Sequence, residues 1–217
     1  MSIDISNSEE SLPRREREKI AHRNEIINAA TRVFARKGFF NATLDEIALE
    51  AEFSKGALYS YFSNKEDLLY SILKEKSELL GSVTHETMPG ENPLKEELRE
   101  MFRRYAEMSF SEQDLFKLIM SLHAAGYCAF SETNAITFKN EHNKWSNYML
   151  ERVEKAIKQG EIRDISPEGV NGMIHGSVEN MMMTRWDCDT VEELKENVNV
   201  FIDMLFNGIA KEREIIV

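Results

Sequence analysis

Apolar residues recur at helical spacing along most of the chain, and no segment alternates apolar and polar positions long enough to indicate a strand. A long amphipathic stripe runs from Arg14 to Lys37 and ends at Gly38, a natural stop signal for a helix. Gly and Pro residues divide much of the remaining pattern into separate segments. Further helices are predicted at about 44–51, 54–62, 64–84, 94–108, 112–122, 132–158, 168–185 and 191–211. The pattern therefore predicts an all-α protein of about nine helices.

The segment from Thr43 to Leu69 is the most informative, because it predicts two short helices joined by a tight turn and followed at once by a third. Thr43 is a preferred N-cap residue, and Glu46 three positions later completes a capping box. Ser54 caps the second helix, which begins with small residues and becomes aromatic further on. A helix-turn-helix places its second helix in the DNA major groove, so this pattern indicates a DNA-binding unit.

A spaced series of residues in this segment is specific enough to indicate a family. It consists of Thr43, Leu44, Ile47, Ala48, Ser54, Gly56, Leu58, Tyr59, Tyr61, Phe62, Lys65, Glu66 and Leu68. The series closely resembles the helix-turn-helix of the TetR (tetracycline-repressor) family of bacterial transcription regulators. The resemblance implies an N-terminal three-helix DNA-binding domain and a C-terminal helical ligand-binding and dimerisation domain. It also implies a repressor that releases a palindromic DNA operator when a small molecule binds.

Five residues are expected to lie against the DNA backbone. By the resemblance, Thr43, Tyr61 and Lys65 clamp phosphates. Ser54 and Gly56 bring backbone N–H groups to the start of a helix, where a phosphate is favoured. Such contacts fix the position of a protein on the duplex but carry little sequence information.

Two further residues of the second helix are expected to reach the bases. Lys55 can approach a guanine edge or a phosphate, and Tyr59 can approach a base edge or a thymine methyl group. The alternative is a helical interaction protein in which Tyr59 and Tyr61 are ordinary packing residues. That alternative predicts no affinity for duplex DNA, so a gel-shift experiment separates the two.

One position departs from the family pattern. Glu52 stands in the turn of the motif, where the family usually has Gly. If the turn needs a positive φ at this position, Glu52 carries a strain of roughly 1 kcal/mol that Gly would avoid. Its carboxylate also places a negative charge near the expected DNA surface.

The charge distribution is uneven along the chain. The net charge is −11, yet residues 13–65 carry 10 Lys and Arg against 7 Asp and Glu, whereas residues 66–217 carry 17 against 28. Contact with nucleic acid is therefore expected only from the N-terminal part. The predicted organisation is a disordered acidic tail at 1–13, the helix-turn-helix domain at 14–63, and the ligand-binding and dimerisation domain at 64–217. The basic start of the first helix can be a solvated surface or a contact with the DNA backbone.

The last two predicted helices suggest a homodimer. The final helix carries apolar residues at near-heptad spacing, from Val191 to Ile209. Its partner contains Gly169, Gly172 and Gly176, which cost roughly 1 kcal/mol each in helix propensity but allow another backbone to approach closely. Two such helices from each subunit would form the four-helix interface that the resemblance implies. The alternative is that they pack only within one subunit.

The middle of the chain is rich in aromatic and Met side chains, which suits a cavity for an apolar or amphipathic effector. The alternative for each residue is an ordinary place in the core. The candidates for ligand contact are Phe102, Tyr105, Phe116, Met120, His123, Tyr127, Trp145, Met149, Met182 and Trp186.

Other classes of function find little support in the sequence. It contains no Gly-rich phosphate loop, no Gly-x-Ser-x-Gly motif and no His pair at metal-ligand spacing, so we expect neither an enzyme nor a cofactor. Cys128 and Cys188 lack paired spacing, which argues against a metal site or a disulfide. The first residues lack an apolar signal region, and no apolar run approaches the roughly 18 residues of a membrane helix. A cytoplasmic protein is therefore expected.

Overall fold

The computed structural model describes residues 12–124 and 132–209. Within those ranges it contains nine α-helices and no strand, so the prediction of an all-α fold is confirmed. A 3-10 turn, Arg185–Asp187, follows the eighth helix. Residues 1–11 of the predicted tail and the ligand candidate Tyr127 lie outside the described residues. The helices are α1 Arg14–Lys37, α2 Leu44–Glu50, α3 Lys55–Tyr61, α4 Lys65–Thr87, α5 Leu94–Ser111, α6 Gln113–Ala124, α7 Glu132–Lys158, α8 Pro167–Thr184 and α9 Val191–Ile209.

The described residues form two compact units that divide inside α4 and α6 rather than at residue 64. The first unit contains residues 12–73 and 118–124, and the second contains residues 74–117 and 132–209. Helix α4 thus contributes its first residues to one unit and its remaining residues to the other.

The first unit is built on the buried side of α1. Gly38 ends α1 with φ 77°, a conformation that Gly adopts without the penalty of a Cβ atom. Helix α1 packs against α2, and α2 packs against α3. Each fully buried Ile, Leu or Phe contributes roughly 1.5–3 kcal/mol. The central side chains are Ile26, Ile27, Val33, Phe34, Ile47, Leu58, Leu68, Leu69 and Ile72, all at most 2% exposed.

The second unit is a helical bundle in which α5 packs against α9, α7 packs against α8, and α5 also contacts α8. Its core contains Met101, Phe102 and Tyr105 of α5 together with Leu194 and Val198 of α9. The buried stripes predicted from helical periodicity therefore face one another in this unit.

A buried ion pair fastens the loop between α4 and α5 within the second unit. The Arg152 guanidinium donates to the Glu97 carboxylate at 2.6 Å, and the two side chains are 4% and 0% exposed. Glu97 also accepts hydrogen bonds from the backbone N–H groups of Gly90 at 2.7 Å and Asn92 at 3.2 Å. The Arg152 guanidinium donates in turn to the Asn92 carbonyl at 2.8 Å. The loop backbone is held in place because the Glu97 carboxylate binds two of its N–H groups and the Arg152 guanidinium binds one of its carbonyl groups.

Candidate nucleic-acid interface and pocket

The start of α2 is fixed by the capping box that the sequence predicts. The Thr43 hydroxyl accepts from the Glu46 N–H at 3.3 Å, and the Glu46 carboxylate accepts from the Thr43 N–H at 3.1 Å. Thr43 is therefore exposed but already bound to its own helix. Its hydroxyl hydrogen is the group left to meet a phosphate.

The turn between α2 and α3 has the strained geometry considered for Glu52. Glu52 adopts φ 60° in the left-handed region, and its N–H donates to the Leu49 carbonyl at 3.1 Å. The Phe53 N–H donates to the Ala48 carbonyl at 2.9 Å. These bonds end α2 and turn the chain sharply into α3, although an L residue with a long side chain occupies the position that favours Gly.

Replacing Glu52 with Gly is expected to raise the free energy of unfolding of the first unit by about 1 kcal/mol, because the φ strain disappears. Urea denaturation of the two proteins measures the difference. Glu52→Ala is the matched control, since it removes the same charge and keeps the Cβ atom. Equal stabilisation by both substitutions would assign the effect to the charge and not to the backbone.

Helix α3 presents a polar outer surface over a buried anchor. The Ser54 hydroxyl accepts from the Ala57 N–H at 3.1 Å and so caps the helix. Leu58 is completely buried beneath, whereas Lys55, Gly56 and Tyr59 face solvent. Tyr59 is 48% exposed, so its ring and hydroxyl are accessible from solvent.

Lys55 pairs with a carboxylate on α2. Its ammonium lies 2.6 Å from an Asp45 oxygen, and this hydrogen bond raises the pKa of the Lys55 ammonium. Lys55 therefore remains charged at neutral pH, but a phosphate or a guanine must compete with Asp45 for it. Both side chains are more than half exposed, so the pair itself stabilises the fold little.

Lys65 has a structural role that the motif alone did not indicate. Its ammonium donates to the carbonyls of Phe40 at 3.2 Å and Ala42 at 2.9 Å, and it lies 4.6 Å from the centre of the Phe39 ring. Burial lowers the pKa of this ammonium. The side chain thus fastens the loop after α1 to the start of α4. With three N–H donors and two backbone acceptors, it retains one donor for a phosphate.

Tyr61 lies near a residue of α1 that the sequence analysis did not select. The Tyr61 hydroxyl is 3.5 Å from the His22 Nδ1 atom, and the His22 ring meets the Phe53 ring edge-on with centres 5.1 Å apart. His22 therefore contacts both the turn before α3 and the last residue of that helix. No local sequence signal could have revealed this, because 39 positions separate His22 from Tyr61.

Several basic residues of α1 form ion pairs with carboxylates of α2. The Glu50 carboxylate binds Arg32 at 2.9 Å and Arg36 at 3.2 Å, and hydrogen bonds from these two residues lower its pKa. Lys37 pairs with Glu46. These residues tie α1 to α2, so the exposed basic start of α1 is the better source of charge for a DNA backbone.

A pocket of about 230 Å³ lies within the second unit, between residues of α4 and α7. Trp145 is the ligand candidate that lines it. Its indole N–H donates to the Thr84 hydroxyl at 2.8 Å, and the Tyr105 hydroxyl lies 2.5 Å from the same oxygen. The walls of the pocket comprise Ser77, Glu78, Gly81, Ser82, Thr84, His85, Lys144, Trp145 and Tyr148.

The remaining ligand candidates are not gathered around that pocket. Phe102 and Met149 are fully buried in the core, and Phe116 and Met182 are 7% exposed. Trp186 packs against Phe201 with ring centres 5.2 Å apart. The side chains of Met120 and His123, like residue Tyr127, lie outside the described residues. That these residues line the effector cavity stays a prediction.

Helices α8 and α9 carry exposed apolar residues in the second unit. Met173 is 56% exposed, Val200 58% and Met204 68%. A Cβ atom added at Gly172 or Gly176 would meet nothing within 4 Å. Met173 shares α8 with these glycines, and Val200 and Met204 lie one turn apart on α9, so a second helix could approach each helix closely.

The described residues contain neither a metal-binding cluster nor a membrane-spanning helix. Among them, no three His, Cys, Asp or Glu side chains group closely enough to hold a metal ion. None of the helices described is both long and apolar enough to span a bilayer.

Comparison with known proteins gives matches to the helix-turn-helix region and matches to most of the chain. A model of bacterial regulatory proteins of the tetR family matches residues 26–72, which include α2, α3 and the start of α4. The transcriptional regulator HbdR of Aromatoleum sp. (strain CIB) is 44% identical over 52 residues, which are 24% of this chain and 23% of that protein. The fatty acid metabolism regulator protein of Bacillus subtilis (strain 168) is 25% identical over 85% of this chain and 94% of its own length.

The fold extends the likeness beyond the helix-turn-helix. The structure of AibR in complex with isovaleryl coenzyme A and operator DNA aligns with a TM-score of 0.70 at 21% identity. The alignment covers 84% of this chain and 97% of AibR. At this level of identity the match shows a shared fold, which includes the helices that follow the motif.

Proposed function

Since the chain belongs to the tetR family of bacterial regulatory proteins, we propose that it is a dimeric repressor that leaves its operator when a small amphipathic molecule binds. The family is one of DNA-binding transcription regulators, and the described structure supplies the parts that such a protein needs. The observation that carries the proposal is the outer surface of α3, where Lys55, Gly56 and Tyr59 are exposed over the buried Leu58.

We assign two kinds of contact to this surface. Tyr59 and Lys55 reach base edges in the major groove, whereas Thr43, Ser54, Tyr61 and Lys65 hold phosphates on either side. The assignment is supported by the caps and bonds that hold Thr43, Ser54, Tyr61 and Lys65 in place without DNA. A surface organised in this way avoids much of the entropy cost of ordering side chains on binding.

Replacing Tyr59 with Ala is expected to weaken binding to the operator by about thirtyfold or more, because the dimer loses a base contact worth roughly 1–3 kcal/mol in each half-site. Binding to unrelated DNA should change little. Fluorescence anisotropy with a duplex selected by the purified protein from a random library measures both affinities. Asn28→Ala, an exposed change in the middle of α1, is the control. Full operator affinity in Tyr59→Ala, or no selected duplex at all, would refute the proposed function.

The salt dependence of the same assay separates phosphate contacts from base contacts. Loss of one phosphate contact per subunit lowers the slope of log affinity against log salt by about 0.9, hence by about 1.8 for a dimer. Lys65→Ala should show this change and Tyr59→Ala should not. Lys158→Ala, a mostly exposed lysine of α7, is the control for the loss of a distant charge.

The dimer is proposed to form through the apolar surface of α8 and α9 that contains Met173, Gly176, Val200 and Met204. The exposure of these apolar side chains in a single chain supports this, because a partner subunit would bury them. Two copies would then carry their α3 helices to the two halves of a palindromic operator.

The effector is proposed to bind in the second unit. The relative AibR was solved with both isovaleryl coenzyme A and operator DNA, and the relative in B. subtilis is named for fatty acid metabolism, so an amphipathic small molecule is the class that we favour. A 100-fold loss of DNA affinity on effector binding requires about 2.7 kcal/mol of coupling between the two sites. Adding candidate compounds to the anisotropy assay identifies those that release the duplex.

A further inference from the structure

One face of α7 holds the end of α4 and the loop after it. The residues lie at helical spacing, and each donates a hydrogen bond across to that segment. Trp145 donates to the Thr84 hydroxyl at 2.8 Å and Tyr148 to the Met88 carbonyl. Arg152 donates to the Asn92 carbonyl at 2.8 Å, and Lys155 donates to the Gly90 carbonyl at 2.6 Å. We call Trp145, Tyr148, Arg152 and Lys155 the α7 clasp.

The pocket lies beside the first two members of the clasp. The rings of Trp145 and Tyr148 line it from α7, and the His85 ring lies 4.3 Å from that of Tyr148. The wall from α4 carries the hydroxyl-bearing residues Ser77 and Ser82. Aromatic side chains on one wall and hydroxyl groups on the other favour a flat ligand that also forms hydrogen bonds.

The size and charge of the pocket narrow the class of ligand. Its volume of about 230 Å³ is below the roughly 300–1,000 Å³ of sites for drug-sized molecules, so a single ring suits it better. Glu78 and Lys144 place one negative and one positive side chain in the walls. Their opposite charges favour a ligand that is neutral overall. Burial raises the pKa of the Tyr148 hydroxyl, which therefore keeps its proton and its bond to Met88 at neutral pH.

Gly81 supplies the open space in this pocket. It lies in the middle of α4, where Gly costs roughly 1 kcal/mol relative to Ala. A Cβ atom built there would meet nothing within 4 Å, and Gly81 lines the pocket. A larger side chain at this position would enter the pocket without a close contact at its Cβ atom.

We propose that the pocket between α4 and the α7 clasp is a binding site for a neutral molecule with a single aromatic ring and a hydrogen-bonding group. The ring lies against Trp145 and Tyr148, and the polar group meets the hydroxyl groups of α4. This proposal names a pocket and a ligand class for the effector, and the role of that ligand in regulation rests on the proposed function. A ligand here changes how α7 holds the end of α4, the helix that begins at Lys65.

Tryptophan fluorescence tests the site without DNA, so the result does not depend on whether the chain binds an operator. The chain has two tryptophans, and Trp186→Phe leaves Trp145 as the single reporter. Phenol and benzamide are titrated against their saturated counterparts cyclohexanol and cyclohexanecarboxamide. We expect a saturable change in emission with the two aromatic compounds and at least tenfold weaker binding of each saturated one.

Gly81→Leu in the same background is expected to weaken phenol binding at least tenfold, because the added side chain fills the pocket. Lys74→Leu places the same Leu side chain at an exposed position of α4 that does not line the pocket, and it should leave phenol binding unchanged. Circular dichroism verifies that both variants remain helical. The proposal is overturned if neither aromatic compound gives a saturable change, if the saturated compounds bind as well, or if Gly81→Leu binds phenol like its parent.

Discussion

Replacement of Arg152 with Met is expected to lower the free energy of unfolding of the second unit by about 3–5 kcal/mol, the cost of breaking a buried ion pair. The substitution leaves the Glu97 carboxylate, whose side chain has no exposure, without its close cation. The N–H groups of Gly90 and Asn92 still bind that carboxylate, but they do not neutralise its charge. The loop between α4 and α5 also loses the bond from Arg152 to Asn92.

Differential scanning calorimetry measures this loss, and a second substitution tests its cause. Arg152→Met combined with Glu97→Gln should recover much of the stability, because the amide oxygen still accepts from the loop and carries no charge. Arg104→Met is the control: its side chain is 46% exposed and its ion pairs are 3.8–4.0 Å long, so it should cost less than about 1 kcal/mol. Equal losses from Arg152→Met and Arg104→Met would contradict the importance of the buried pair.

The features predicted correctly from sequence are those that depend on neighbouring residues. The helices follow from apolar periodicity, and the capping box joins Thr43 to a residue three positions away. Glu52 stands two residues after the last residue of α2, in the turn of the motif, so its positive φ could be anticipated from the turn alone. Local chemistry of this kind is fully contained in a short stretch of sequence.

The features missed from sequence depend on residues far apart in the chain. Lys65 binds carbonyls of residues 23 and 25 positions earlier, and Arg152 meets Glu97 across 55 positions. Nothing in the sequence around a charged residue shows which distant partner will bury it. The pocket illustrates the same limit, because only Trp145 among its walls was selected. Most of its other lining residues belong to α4, and they meet Lys144 and Tyr148 of α7 only in the folded chain.

The structure also changes which residue best tests the proposed dimer. Phe201 lies within the near-heptad apolar series of the final helix, so a charge there, as in Phe201→Glu, is one obvious way to disrupt the predicted interface. The Phe201 ring lies 5.4 Å from that of Phe102 and 5.2 Å from that of Trp186 within the same chain. Charge at this position would damage the core as well as any interface. Gly176 and Met204 are exposed instead, so changes there leave the packing of one chain intact.

Gly176→Leu is therefore expected to convert the dimer into a folded monomer and to weaken operator binding by at least about a hundredfold. The new side chain meets nothing within its own chain, and Leu forms helix better than Gly, so the monomer should not lose stability. A close helix contact with a second copy would be blocked by the added bulk. The two half-sites then bind independently, which removes an effective-concentration advantage of about 10²–10⁴.

Sedimentation equilibrium gives the assembly state, and anisotropy with the selected duplex gives the affinity. Met204→Glu should act in the same way, because it places a charge in the apolar surface of α9, where Met204 is 68% exposed. Lys158→Leu adds an apolar side chain to an exposed position of α7 away from this surface and should remain a dimer with full affinity. If both Gly176→Leu and Met204→Glu remain dimers, the interface lies elsewhere on the chain. If they become monomers yet bind the full operator as tightly as before, cooperation between two subunits is not the source of operator affinity.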